Sequence, residues 1–212
     1  MSSLRFRLFG FAVEITPWFL VLLGLLAAFN IEAGPARVLG WTLATFVCVM
    51  VHELGHAAVA RQFGLRVGVI QLHGMGGQVS HDRTTPGKQL AISLAGPGAG
   101  FLPVIPALGL AALPLPWVVA DALIEPMLWI PIVYGVFNLL PIFPMDGGMA
   151  LMSALKLAIA PALAEKIVGG IGLVGGALLV AWAFSNGQIL LAYVAATLTW
   201  RNAEILRAHG LF

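Results

Sequence analysis

Charge is scarce in this chain: 9% of its 212 residues are Asp, Glu, Lys or Arg, whereas 60% are hydrophobic and the mean hydropathy is +0.97. That balance excludes an ordinary soluble domain and points to an integral membrane protein. Cysteine is nearly absent as well. With Cys48 as the one thiol, no intrachain disulfide can form, the redox compartment leaves no trace, and the residue reads as helix packing. The excess of positive charge is slight, eleven Lys and Arg against nine Asp and Glu, for a net charge of +2 and a pI near 9.0. Scattered among apolar runs, these cations suit membrane topology, and no nucleic-acid partner is expected. The glycine-rich stretches 96–100 and 169–176 lack the lysine and the context of a phosphate loop and read as small-residue contacts between helices.

What is present is concentrated in one place. His52-Glu53-Leu54-Gly55-His56 lies in a run without charge from Val38 to Val51, and the next cation is Arg61. Ionisable residues inside such a run are costly and generally functional. Residues four apart share a helix face, so His52 and His56 can present two imidazoles to one metal ion with Glu53 beside them. Catalytic zinc of this type takes three protein ligands, keeps one position for water, and uses the glutamate as general base. A third ligand must come from elsewhere.

About six hydrophobic spans can be traced, at residues 16–30, 36–60, 89–113, 117–140, 162–184 and 188–200. The first and last are short for a hydrocarbon core of about 30 Å, which takes about 20 apolar residues per helix. A cytoplasmic N-terminus puts Arg5, Arg7, Arg61, Arg66, Arg83, Lys88, Lys156, Lys166, Arg201 and Arg207 inside and only Arg37 outside, with Glu32, Asp121 and Glu125 also on the far side. This asymmetry predicts both termini in the cytoplasm. His56 precedes Arg61 by five residues, so a metal there would lie roughly 10 Å below the cytoplasmic surface and needs a water-filled cavity.

The outstanding candidate for the third ligand is Asp146, in Asn138-Leu-Leu-Pro141-Ile-Phe-Pro144-Met-Asp146-Gly147-Gly148. Pro141 and Pro144 cannot continue a regular helix, and the two glycines loosen the backbone further. Irregular backbone at membrane depth is tolerated only where protein or water satisfies it. The alternative is that Asp146 merely caps a helix over residues 149–160.

These residues together resemble the site-2 protease family of intramembrane zinc metalloproteases. The resemblance rests on His52-Glu53-x-x-His56 followed by Asn138-x-x-Pro141-x-x-Pro144-Met-Asp146-Gly147, and extends to Ser93-Leu-Ala-Gly-Pro97-Gly-Ala-Gly100 and to the strand-like residues 4–18 around Gly10. It implies an all-α polytopic membrane protein, about six transmembrane helices with a small membrane-inserted β-sheet near the active site, forming one catalytic core over residues 1–212. It also implies that His52, His56 and Asp146 hold one zinc ion per chain, that Glu53 activates water, and that a transmembrane protein substrate is cut within the bilayer. Asn138 matches a position thought to steady the substrate backbone or the oxyanion; a hydrogen bond within the proline-broken helix is the equal alternative. No stretch has room for a PDZ insertion, so the chain reads as a minimal core, compatible with a prokaryotic plasma membrane.

Residues 65–72 alternate partly in the β manner, with Leu65, Val67 and Val69 on one side, before Gly74, Gly76 and Gly77 break the run. By the resemblance this is a short sheet beside the metal, whose edge can pair with an extended substrate. His73 reads as a polar residue on a glycine-rich loop, with a substrate or metal contact near the site as the alternative, and His81 and His209 read as solvated. Two other functions stay open. A membrane metalloprotease that trims termini or prenylated tails would use a glutamate as third ligand, but Glu125 and Glu165 sit in no suitable motif. A zinc carrier or zinc-dependent scaffold would bind metal without hydrolysis, and no second site follows along a path.

Overall fold

Phe9 and Gly10 turn the chain back with φ of 51° and 84°. Two consecutive positive φ values make a tight hairpin whose twist suits its strands. In the computed structural model, which describes residues 3–29 and 31–211, this turn joins β1 (Leu4–Leu8) to β2 (Phe11–Ile15), paired antiparallel with Leu8 opposite Phe11. β3 (Val67–His73) pairs parallel to β2, and β4 (Gly76–His81) closes an antiparallel pair, so the sheet order is β1-β2-β3-β4. A parallel pair needs a long crossover. Here it is made by α1 (Pro17–Phe29) and α2 (Pro35–Gln62). Phe11, Val13, Ile15, Ile70 and Leu72 of the sheet pack on Phe19, Val49, Met50 and Ala57 from these two helices.

Leu65, Val67 and Val69, expected on one side, do not share the same burial: the first two are half-buried. Val69 is 41% exposed and the buried residues are Ile70 and Leu72. A register irregularity between Val67 and Ile70 breaks the alternation, so the pattern read from Leu65 and Val67 lands on the wrong side downstream.

α2 carries the His-Glu-x-x-His motif. Pro35 stands at its first turn, where a missing N–H costs nothing. It ends where Gly64, at φ 75°, lets its own amide reach the Arg61 carbonyl at 2.9 Å and the Leu65 amide reach the Ala60 carbonyl at 3.1 Å. Gly40 faces the carbonyl of Ala122 so closely that no larger residue fits. Ala122 lies in a π-helical turn (Ala120–Ile124) between α5 (Trp117–Val119) and α6 (Glu125–Asn138). Arg37 binds Asp121 at 2.5 Å and Glu125 at 3.2 Å, which gathers three of the four charges expected on the far side of the membrane.

The chain divides into two compact units, Met1–Arg83 with Ala95–Phe137, and Thr84–Leu94 with Asn138–Phe212. α3 (Pro86–Gly100) contributes to both, and α4 (Val104–Ala111) follows it. The second unit contains α7 (Asp146–Lys156), α8 (Pro161–Ser185) and α9 (Ile189–Ala208). Gly169, Gly172 and Gly176 of α8 admit Leu206, Asn202 and Thr199 of α9. These are the small-residue contacts expected of that glycine run.

Among the described residues, four helical stretches are long and apolar enough to cross a membrane: Pro35–Gln62, Pro86–Ala111, Ala120–Asn138 and Pro161–Ser185. They match four of the expected spans. The first expected span appears as a short apolar helix, Pro17–Ala28, and its end at Asn30 lies outside the described residues. The last is α9, whose C-terminal half carries Arg201, Glu204 and Arg207.

Candidate metal centre

His52 and His56 stand one turn apart on α2, and both are buried, at 2% and 9% exposure. Their Nε2 atoms face each other at 3.1 Å. Two nitrogens bound tetrahedrally to zinc at about 2.0–2.1 Å would be about 3.3 Å apart, so the pair is spaced to share one ion. Asp146, the carboxylate expected as third ligand, is the first residue of α7, in the second unit. Two imidazoles and a carboxylate form a donor set that suits zinc. The helix begins at Asp146 with Met145 as its cap residue, so Asp146 is not the capping side chain the alternative required.

The surroundings explain how the ligands are held. Gly96 of α3 leaves the space that the His56 ring fills, since a Cβ there would overlap the imidazole, and Gly100 would bring a Cβ to 3.4 Å from His52 Nδ1. Gly55 does the same for the helix contact, its Cβ position lying 2.5 Å from the Ala95 carbonyl. The stretch from Ser93 to Gly100 thus ends α3, with Gly96 and Gly100 against the histidines and Gly98 in open space. Tyr134 of α6 meets the His52 ring edge to face, with centroids 5.0 Å apart. Gly77 of β4 lies against Glu53, where a Cβ would fall 2.5 Å from the carboxyl carbon. Glu53 is 3% exposed. β4 thus meets the Glu53 side chain at a residue with no side chain of its own.

In the second unit, the segment between α6 and α7 folds back on the first turn of α7. A Cβ at Gly147 would press on the carbonyls of Leu139 and Leu140, and one at Gly148 would come 2.5 Å from the Ile142 carbonyl carbon. The glycine pair permits this close return; it does not loosen the chain, as expected from sequence. Ile142 is buried, and the peptide between Phe143 and Pro144 is cis. Asn138 ends α6, half-buried.

The glutamates weighed as alternative ligands are engaged elsewhere: Glu125 with Arg37, and Glu165 with Lys156 at 2.6 Å and His209 at 2.9 Å. His209 is thereby corrected from a solvated residue to a partner of Glu165, packed at 21% side-chain exposure. His73 lies at the end of β3, and its Nδ1 accepts a bond from the Met75 amide at 3.2 Å. Burial pushes its pKa below the ordinary value.

Residues 41–115 match the sequence profile of peptidase family M50. A solved site-2 protease from Methanocaldococcus jannaschii superposes with a TM-score of 0.67 at 26% identity, over 96% of this chain and 94% of that one. The chain belongs to peptidase family M50, the site-2 proteases. It is also similar to a zinc metalloprotease of Methanocaldococcus jannaschii, 29% identical over 79% of this chain and 49% of the relative. A Synechocystis relative, provisionally named a zinc metalloprotease, is 36% identical over 69% of this chain and 42% of its own length. The chain thus spans about half the length of the curated relatives it matches. Family membership and the donor set agree on zinc as the metal.

Proposed function

We propose that this M50 chain is an intramembrane zinc endopeptidase that cuts peptide bonds in or near transmembrane segments of membrane-protein substrates. The observation that carries the reading is the facing pair of His52 and His56, their Nε2 atoms 3.1 Å apart, on the helix that also carries the buried carboxylate of Glu53. In this reading His52, His56 and Asp146 hold zinc, which when bound supplies Lewis-acid polarisation of the scissile carbonyl and a lowered pKa for the attacking water. Glu53 takes the proton from that water and passes it to the leaving amine. Asn138 donates its side-chain amide to the substrate backbone or the developing oxyanion. The β4 edge pairs with the substrate, keeping the bond to be cut extended.

The same reading takes residues 1–212 as one core, counts α1 and α9 with the four long spans as six crossings, and sets both termini and the site toward the cytoplasm. The four long apolar stretches and the distribution of Lys and Arg support it. The decisive test is Glu53→Gln in protein co-reconstituted with a transmembrane substrate. Zinc content should stay at one per chain while cleavage is lost. Cleavage at the wild-type rate would end the proposed mechanism.

A further inference from the structure

Asn202 is fully buried in the middle of the contact between α8 and α9. A buried side-chain amide in a membrane protein is expensive unless both its ends are satisfied. Its Nδ2 donates to two carbonyls, Leu198 at 2.8 Å on its own helix and Phe143 at 2.6 Å across the unit. Both partners are acceptors, so the nitrogen must face them. Among the described residues, none donates a hydrogen bond to the Oδ1. The two donations fix which way the amide faces.

Phe143 lies three residues before Asp146, in the segment where Pro141 and Pro144 prevent a helix. Its carbonyl is followed by a proline nitrogen that carries no hydrogen. The fold makes room for the grip deliberately, since a Cβ at Gly172 would overlap the Asn202 amide. One residue upstream, Ile142 packs its Cδ1 3.6 Å from the Cβ position of Gly175. α8 and α9 therefore hold this segment at two consecutive residues, one by packing and one by a hydrogen bond.

We infer that Asn202 is a positioning residue for the metal site: through the Phe143 carbonyl it sets the segment that presents Asp146, so that the placement of α9 governs zinc affinity. The inference rests on the proposed role of Asp146 as a zinc ligand. Groups that orient a ligand without touching the metal typically change affinity by about 10–100-fold when removed.

The test is a zinc competition titration on the purified full chain, with thermal unfolding in parallel, for wild type, Asn202→Ser, Asn202→Leu, Asp146→Asn and the Asp146→Asn/Asn202→Ser double variant. Asn202→Ser keeps a hydroxyl able to bond Leu198 on its own helix but cannot reach Phe143, which guards against simple misfolding. Both Asn202 variants should bind zinc about 10–100-fold more weakly. In the Asp146→Asn background, Asn202→Ser should weaken it no further, because the two changes act through one ligand. Wild-type affinity in both Asn202 variants, or the same loss with and without Asp146, would overturn the inference while leaving the zinc reading intact. Unchanged affinity in Asp146→Asn would overturn both.

Discussion

Gly96 of α3 lies directly against the imidazole of His56, with no space between them for a methyl group. Gly96→Ala should force the ring out of line with His52, because packed interiors transmit such overfilling rather than absorb it. Zinc affinity is expected to fall about 10–100-fold, measurable by competition with a chromogenic chelator. Retained affinity would mean that the ring has freedom the packing denies.

Gly77 stands to Glu53 as Gly96 does to His56, but the outcome should differ. Gly77→Ala displaces the proposed base and not a proposed ligand, so zinc should stay bound while turnover drops by about 100-fold, the cost of a displacement near 1 Å at a reacting group. Parallel zinc analysis and cleavage assays of the two alanine variants would separate these roles. Loss of zinc from Gly77→Ala would refute the division.

Tyr134 touches His52 through its ring. Tyr134→Phe keeps that contact and should leave zinc affinity nearly unchanged. Tyr134→Leu gives up an aromatic pair worth about 0.5–1.5 kcal/mol, which predicts roughly a 2- to 12-fold weaker affinity. Equal affinities in the two variants would remove the ring from the account.

Arg37 is shared by Asp121 and Glu125, all three partly exposed. Arg37→Ala leaves two carboxylates side by side. A loss of about 1 kcal/mol is expected, reduced in high salt because exposed charges are screened. Thermal unfolding at two ionic strengths would check it, and a salt-independent loss would point to lost stem packing instead.

His73 is held below its ordinary pKa of 6.5 by burial. The unfolded chain therefore takes up the proton first as pH falls, and the folded chain follows only at lower pH. Stability contributed by neutral His73 is present above about pH 6.5 and lost as pH drops through the window below it. Unfolding midpoints measured from pH 7.5 to 5 should fall less steeply in His73→Gln than in wild type; parallel slopes would exclude His73 as the source.

Features that depend on near neighbours in sequence were legible there. His52, Glu53 and His56 share a face because the helix repeats every 3.6 residues, and Asp146 stood out because two prolines break its surroundings. The strands around Gly10 were visible only through the family resemblance. Features that depend on what lies opposite were not. The buried face of β3 changes at an irregularity that only its pairing with β4 reveals. His209 looked solvated because Glu165 is 44 residues away. Gly96, Gly77 and Asn202 are ordinary residues for a membrane helix or a turn until the group each one touches is known. The short α1 and the charged end of α9 left the outermost spans indistinct for a different reason: neither carries enough uninterrupted apolar length.

α2 is seized near both ends, by the Ala122 carbonyl against Gly40 and by Arg61, which bonds the Phe9 carbonyl at 3.1 Å and covers the Phe11 ring at 4.1 Å. Between these points runs about 32 Å of helix, like an axle carried in two bearings. A single bearing would let the axle swivel, and each residue of slippage would carry the imidazoles about 100° around its circumference. Two bearings resist that rotation, so the direction in which the histidines look is set in part far from the histidines themselves.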